Sequence, residues 1–150
     1  MTDSLLVHAT AVAIDGGAVL LRGPPGCGKS DLALRLIDGG ARLIADDQAV
    51  LLRRDNRIQV RAPATIVGLL EVRGVGILRL DTLDEVRLAL VVDLVPAAQV
   101  ERLPELRCER VLGLAVPLIA LAPFEASAAA KLRFALRMLA TAEQAAHRVW

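Results

Sequence analysis

Residues 23–30 read GPPGCGKS, and this stretch decides the fold that the sequence predicts. It matches the pattern G-x-x-x-x-G-K-S. The apolar run 18–21 precedes it and predicts a buried strand, while the DLALRLID that follows has helical spacing. A glycine-rich loop between a strand and a helix turns backbone N–H groups and the helix N-terminus towards an anion. The sequence therefore predicts a phosphate site, in preference to a plain turn with a surface lysine.

The pattern assigns roles within this loop. We expect Lys29 to reach the β- and γ-phosphates of a nucleotide, and the Ser30 hydroxyl to ligate Mg²⁺. The predicted phosphate cradle comprises Gly23, Pro24, Pro25, Gly26, Cys27, Gly28, Lys29 and Ser30.

Composition limits the class of protein. A chain of 150 residues suits one domain, and with 55% hydrophobic but only 2% aromatic residues its core must be aliphatic, which favours buried strands covered by helices. The net charge of +1, without aromatic residues among basic ones, argues against nucleic-acid binding. Two distant cysteines, Cys27 and Cys108, fit neither a disulfide framework nor a zinc site, so we expect a cytoplasmic protein. The sequence has no membrane-length apolar run and no basic signal-peptide region.

Local patterns predict the remaining elements. Asp15, Gly16 and Gly17 predict a hairpin turn after a first strand within 5–14. The helix after the loop presents an apolar face of Leu32, Ala33, Leu36 and Ile37 and ends at Gly39 and Gly40. We further expect a strand at 41–45, a hairpin of 49–52 with 58–60 around a solvated tip, a strand at 86–94, a surface loop over most of 96–110, and strands at 111–114 and 116–121, with Pro117 at an edge or strand start.

A long amphipathic helix is predicted from Ser127 to about Arg148. Its expected apolar stripe is Leu132, Leu136 and Leu139, widened by Phe134 and Met138, with Lys131, Arg133 and Arg137 facing outward. Packing is its expected role, and contact of its arginines with a partner protein is the alternative.

Acidic residues at strand ends are the main candidates for chemistry. Asp46 and Asp47 follow the strand 41–45, and since adjacent side chains on an extended backbone point to opposite sides, we expect one to face the phosphate and the other to brace the loop. A solvated turn is the alternative. Asp93 ends an apolar run in the manner of a Walker B aspartate and competes with this pair for the metal.

Two further features leave their roles open. Glu71 and Arg73 are the only charges within an apolar stretch, and on an extended segment they share a face. They either form a structural salt bridge or address magnesium and phosphate. His8, in the first predicted strand, is more typical of a packed, hydrogen-bonded side chain than of a catalytic one.

Taken together, these residues resemble the bacterial HPr kinase/phosphorylases, a P-loop family similar to phosphoenolpyruvate carboxykinases. His8, GPPGCGKS, LIADD and LLEVRGVGI stand in the order of that family's motifs. The resemblance implies an α/β fold, a P-loop kinase domain with a central mixed β-sheet, β-hairpins and covering helices. The family's signature segment corresponds to Leu70, Glu71, Val72, Arg73, Gly74, Val75, Gly76 and Ile77.

The resemblance also implies an activity. It makes the protein an ATP-dependent serine kinase of the phosphocarrier protein HPr, acting in regulation of the phosphotransferase system, with Asp47 as the base and Asp46 beside it. Lys29 would neutralise the transferred phosphoryl group, and Ser30 and Glu71 would hold Mg²⁺. His8 and Arg102 match further active-site positions of the family. In reverse, with phosphate as nucleophile, protonated Asp47 would act as acid and pyrophosphate would be released.

Departures from the family pattern qualify this expectation. The chain is expected to be a single catalytic domain, 1–150, without the N-terminal domain of longer members. Pro25 replaces a serine, and residues 122–131 lack the arginine-rich segment tied to the reverse reaction, which favours kinase over phosphorylase activity. A homohexamer is expected from the family alone. The alternatives are a P-loop kinase or hydrolase of another substrate that uses Asp93, and a nucleotide sensor without catalysis.

Overall fold

The computed structural model describes the backbone of residues 3–147 and the side chains of residues 3–141. Alternating and continuous apolar runs form the strands, and the two helical patterns form the helices. The strands are β1 (Ser4–Val7), β2 (Thr10–Ile14), β3 (Gly17–Arg22), β4 (Arg42–Ala45), β5 (Ala49–Arg54), β6 (Arg57–Arg61), β7 (Leu69–Val72), β8 (Gly76–Arg79), β9 (Val86–Leu94), β10 (Arg107–Val111) and β11 (Leu114–Leu121), and the helices are α1 (Lys29–Asp38) and α2 (Ala128–His147).

A large mixed sheet organises the fold. Its strands run in the order β1-β5-β6-β9-β3-β2-β4, and the β10–β11 hairpin joins through β11. The strand β9 runs parallel to β3 and β11 and antiparallel to β6, so three strands meet along it. The mixed α/β fold is therefore confirmed. Strands β7 and β8 form a separate two-stranded sheet.

The core lies on both faces of this sheet because successive strand side chains point to opposite sides. In β3, Val19 and Leu21 belong to the cluster beneath the helices, whereas Ala18 and Leu20 belong to the cluster on the other face. The helices contribute side chains such as Leu32 and Leu132, which are fully buried. Truncating either leucine to alanine is expected to cost about 2–5 kcal/mol of stability.

Most predicted turns are confirmed. Helix α1 ends as expected at Gly39 and Gly40, where Gly40 has φ +111° and its N–H, with that of Ala41, bonds back to the last turn. The hairpins β2–β3 and β5–β6 also form. The first predicted strand is instead interrupted at His8, and β1 pairs with β5.

The predicted surface loop over most of 96–110 is confirmed, but the predicted strand at 111–114 is wrong because a turn interrupts it at residues 112 and 113. The segment 96–110 contains a 3₁₀ turn at Ala97–Gln99, and residues 107–110 belong to β10, paired with β11 across a turn at Leu112 and Gly113. This strand is mostly exposed, so it lacks the apolar pattern by which strands are found. Pro117 stands where β11 pairs with β10 but not yet with β9, so its missing N–H costs no bond between β11 and β9.

The long helix is confirmed, but the predicted orientation is wrong for three of its side chains. Phe134 and Met138 are 65% and 62% exposed, because both lie on the side of the helix away from the buried Leu132. Arg133 points inward, and its guanidinium donates to the Leu36 carbonyl at 2.9 Å near the end of α1. Among the described residues, no helix has the length and apolar character needed to cross a membrane.

Candidate functional site

The glycine-rich loop, residues 23–30, connects β3 to α1 as the sequence predicts. Gly26 and Gly28 have φ +78° and +102°, a left-handed conformation that L side chains rarely adopt. The Cys27 N–H donates to the Pro24 carbonyl at 3.1 Å and tightens the turn. The Lys29 ammonium donates to the Gly23 and Pro24 carbonyls at 2.7 and 3.1 Å. These bonds join the first residue of α1 to the start of the glycine-rich loop.

Asp46 is the hub of a buried hydrogen-bond network. It is only 8% exposed, and its Oδ1 accepts from the hydroxyls of Ser30 at 2.8 Å and Thr10 at 3.0 Å. Its Oδ2 accepts from the N–H of Glu71 at 3.3 Å. One carboxylate thus ties the start of α1, the first residue of β2 and the hairpin β7–β8 together.

Asp47 has a different environment from its neighbour. It is exposed and has φ +69°, a left-handed conformation that Asp and Asn tolerate better than most residues. Its N–H donates to the Thr10 hydroxyl at 3.3 Å, which fixes the backbone of the turn. As the sequence predicted, the two carboxylates divide: Asp46 points into the network and Asp47 lines the cavity beside the glycine-rich loop.

The hairpin β7–β8 supplies the opposite wall of that cavity. Glu71 lies in β7 and Arg73 in the turn that follows, and both are exposed. The apolar residues around them, among them Val75 and Ile77, are exposed as well, so neither charge is buried. Among the described side chains Glu71 and Arg73 form no ion pair with each other. Both line the cavity.

We call the space between these elements the loop cavity, and its volume is about 450 Å³. It brings together residues of the glycine-rich loop, helix α1, the acidic turn and the β7–β8 hairpin. Its lining consists of Pro25, Gly26, Gly28, Lys29, Ser30, Asp31, Leu34, Asp47, Glu71, Val72, Arg73 and Phe124.

The oxygen donors of this lining fit a magnesium–nucleotide complex. Ser30, Asp47 and Glu71 offer one hydroxyl and two carboxylates, the hard ligands that Mg²⁺ prefers. In residues 3–141 no three His, Cys, Asp or Glu side chains gather into a metal-binding group. Mg²⁺ bound with a nucleotide needs no such group, since one or two carboxylates, phosphates and waters complete its coordination.

Several predicted site residues do not line the loop cavity: Gly23, Pro24, Cys27, Asp46, Leu70, Gly74, Val75, Gly76, Ile77, His8 and Arg102. His8 is exposed in the bend between β1 and β2, so the expectation of a packed side chain is wrong. Arg102 is exposed in the segment before β10. Neither residue lines the cavity. Their catalytic roles stay predictions from the family.

Asp93 is engaged in an ion-pair network away from the cavity lining. Its two oxygens accept from Nε and a terminal nitrogen of Arg22 at 2.8 and 3.2 Å, and Arg22 also pairs with Glu109. Burial opposes the charged guanidinium, but the hydrogen bonds and charges of Asp93 and Glu109 outweigh it and raise the pKa of Arg22. This pairing favours a structural role for Asp93 over that of a magnesium ligand.

Thr10 and Phe124 are site residues that the sequence analysis missed. Thr10 is fully buried, and its hydroxyl hydrogen-bonds to both Asp46 and Asp47. The sequence feature that could have indicated it is a hydroxyl residue in the otherwise apolar strand TAVAI. Phe124 lines the cavity from the segment between β11 and α2, where no local pattern points to a site.

Comparisons with known proteins point to one family. The family described as HPr Serine kinase C-terminal domain matches residues 1–132. The HPr kinase/phosphorylase of Lactobacillus delbrueckii subsp. bulgaricus is 41% identical over 96 residues, which is 59% of this chain and 30% of that protein. That of Geobacillus kaustophilus is 41% identical over 114 residues, 69% of this chain and 37% of that protein. The chain thus spans about a third of the length of these curated relatives.

A solved structure supports the same relationship. The Hpr(Ser) kinase/phosphatase from Coxiella burnetii superimposes with a TM-score of 0.81 at 25% sequence identity, covering 97% of this chain and 99% of that one. The large mixed sheet and the two helices therefore belong to a fold already seen in an enzyme of this name. Because the family match extends over 132 of the 150 residues, the chain belongs to the HPr serine kinase C-terminal domain family.

Proposed function

We propose that this protein is an ATP-dependent serine kinase whose substrate is the phosphocarrier protein HPr. One observation carries the proposal: Asp46 binds the Ser30 hydroxyl and the Glu71 N–H, so the glycine-rich loop, the exposed Asp47 and the β7–β8 hairpin surround one cavity. Family membership supports the proposed class of reaction and HPr as the acceptor.

Each residue of the cavity then has a part in phosphoryl transfer. The loop N–H groups and Lys29 bind the phosphate tail and offset its charge. Asp47 accepts the proton of the acceptor serine hydroxyl while that oxygen forms its bond to the γ-phosphorus and ADP leaves. A positioned base of this kind contributes typically about 10²–10⁴-fold to the rate. Ser30 and Glu71 hold Mg²⁺, which when bound neutralises charge on the transferring phosphate.

A transfer assay tests the proposal. The protein is incubated with ATP labelled in the γ-phosphate, Mg²⁺ and purified HPr, and phosphoserine is measured on HPr. We expect stoichiometric phosphorylation of HPr and none of an HPr variant whose acceptor serine is alanine. If the protein is folded and no label appears on HPr, the proposed kinase activity is contradicted.

We propose in addition that the reverse reaction is weak or absent. Residues 122–131, which lie beside the glycine-rich loop, contain no arginine and only Lys131 as a basic residue. That lysine is paired with Glu125 at 2.8 Å. We therefore expect little pyrophosphate when phosphoserine-HPr is incubated with inorganic phosphate. Rapid pyrophosphate release would show that basic residues in this segment are not required.

A further inference from the structure

Phe124 is an exposed aromatic side chain at the glycine-rich loop. The chain contains two phenylalanines, one tryptophan and no tyrosine, so few aromatic side chains are available to line a cavity by chance. Phe124 is 71% exposed although it lines the loop cavity together with Lys29 and Ser30. A ring exposed to this extent contributes little to the hydrophobic core.

The ring lies directly against the backbone of the loop. A Cβ atom built on Gly28 would approach Cζ of Phe124 to 2.9 Å and Cβ of Pro123 to 3.3 Å. The ring therefore sits one residue from Lys29, at the end of the loop where α1 begins. Within the same cavity lining, Leu34, one turn along α1, adds a second apolar side chain.

Hydrogen bonds on both sides hold the segment that carries Phe124. The guanidinium of Arg35, from α1, donates to the carbonyls of Pro123 and Glu125, the latter at 3.1 Å. Arg35 is itself paired with Asp31 at 3.0 Å. Since α1 also begins with Lys29, the backbone on either side of Phe124 and the loop are joined to the same helix. This anchoring holds the backbone of Phe124 beside the loop before any ligand binds.

The cavity thus has two chemically different parts. Lys29, Ser30 and the loop N–H groups suit a polyphosphate, and Phe124 with Leu34 suits a planar apolar group beside it. A nucleoside triphosphate combines these features, and stacking of a base on an aromatic ring is largely independent of which base it is. We propose that Phe124 is the stacking platform for the nucleobase of the donor nucleotide. This inference rests on the proposed use of ATP.

Binding measurements separate the base from the phosphates. ATP is compared by calorimetry, in the presence of Mg²⁺, with methyl triphosphate, which carries the same charged groups without the nucleoside. For the unaltered protein we expect ATP to bind about 5- to 150-fold more tightly, the range that one base–aromatic stack supplies. Phe124→Ala should abolish most of this preference, and Phe124→Trp should keep it.

The same titrations contain their control. Methyl triphosphate should bind equally to the unaltered protein and to both variants, which shows that the loop is folded in each. If Phe124→Ala binds ATP as tightly as the unaltered protein, the stacking role is wrong while the proposed kinase stands. The same holds if the variant only raises the Michaelis constant for HPr in the transfer assay. If neither triphosphate binds the unaltered protein, both the inference and the use of ATP are overturned.

Discussion

The Ser30 hydroxyl donates a hydrogen bond of 2.8 Å to Oδ1 of Asp46, joining the first turn of α1 to the residue that follows β4. Because Thr10 donates to the same oxygen, the buried Asp46 carboxylate is held by both β2 and α1. The neighbouring Asp47 is left exposed to the cavity. The Asp46 carboxylate therefore braces the structure, whereas the Asp47 carboxylate is available for chemistry.

The two aspartates should differ in their effect on stability. Asp46→Asn replaces one carboxylate oxygen by an amide that faces hydrogen-bond donors, and we expect it to lower the free energy of unfolding by about 1–3 kcal/mol. The matched change Asp47→Asn, at an exposed residue whose left-handed φ Asn also tolerates, should change it by less than about 0.5 kcal/mol. Urea unfolding of both variants measures the difference. Equal losses would show that the Asp46 network does not stabilise the fold.

Gly23 should be required for space within the loop. A Cβ there would lie 2.5 Å from Sγ of Cys27 and 3.3 Å from the Leu94 carbonyl. We expect Gly23→Ala to reduce the free energy of unfolding by about 1–3 kcal/mol, the usual cost of overpacking. In a Cys27→Ala background most of that loss should disappear, since the sulfur is the nearer obstacle. A double-mutant cycle by thermal unfolding measures the coupling, and the same loss in both backgrounds would exclude this contact as the cause.

Asp93 should be a structural residue and not a magnesium ligand. Asp93→Asn weakens the ion pair with Arg22, and we expect a loss of about 1–2 kcal/mol in unfolding free energy because the pair is partly exposed. Phosphoryl transfer to HPr at saturating Mg²⁺ should be unchanged. A folded Asp93→Asn protein that has lost transfer, with its magnesium requirement shifted, would favour the alternative P-loop enzyme that uses Asp93.

The elements that the sequence predicts well are those whose signals are local. The glycine-rich loop, the hairpin turns and the strand Val86–Leu94 depend on residue types within a few positions, and all three lie where the patterns indicate. The different surroundings of Asp46 and Asp47 match the expectation, but strand alternation is not their cause, because both residues follow β4 and Asp47 has a left-handed backbone with φ +69°.

The features that were missed depend on contacts between distant segments. Thr10 reaches Asp46 across 36 positions and Arg22 reaches Glu109 across 87, and no local pattern reports such pairs. Arg133 was assigned to solvent because arginine usually is exposed, yet its guanidinium donates to the Leu36 carbonyl near the end of α1, which also accepts from the N–H groups of Gly39 and Ala41. Phe124 gave no periodic signal, and only the fold places it beside Gly28.

The central claim is that this chain transfers phosphate from ATP to HPr with Asp47 as the base, and Asp47→Asn tests it most directly. The measurement is the rate of phosphoserine formation on HPr by the unaltered protein and by Asp47→Asn, with ATP binding measured on the same samples. We expect the rate to fall by about 10²–10⁴-fold while ATP affinity and the unfolding midpoint are retained. A variant that phosphorylates HPr at the rate of the unaltered protein would contradict the assignment of Asp47.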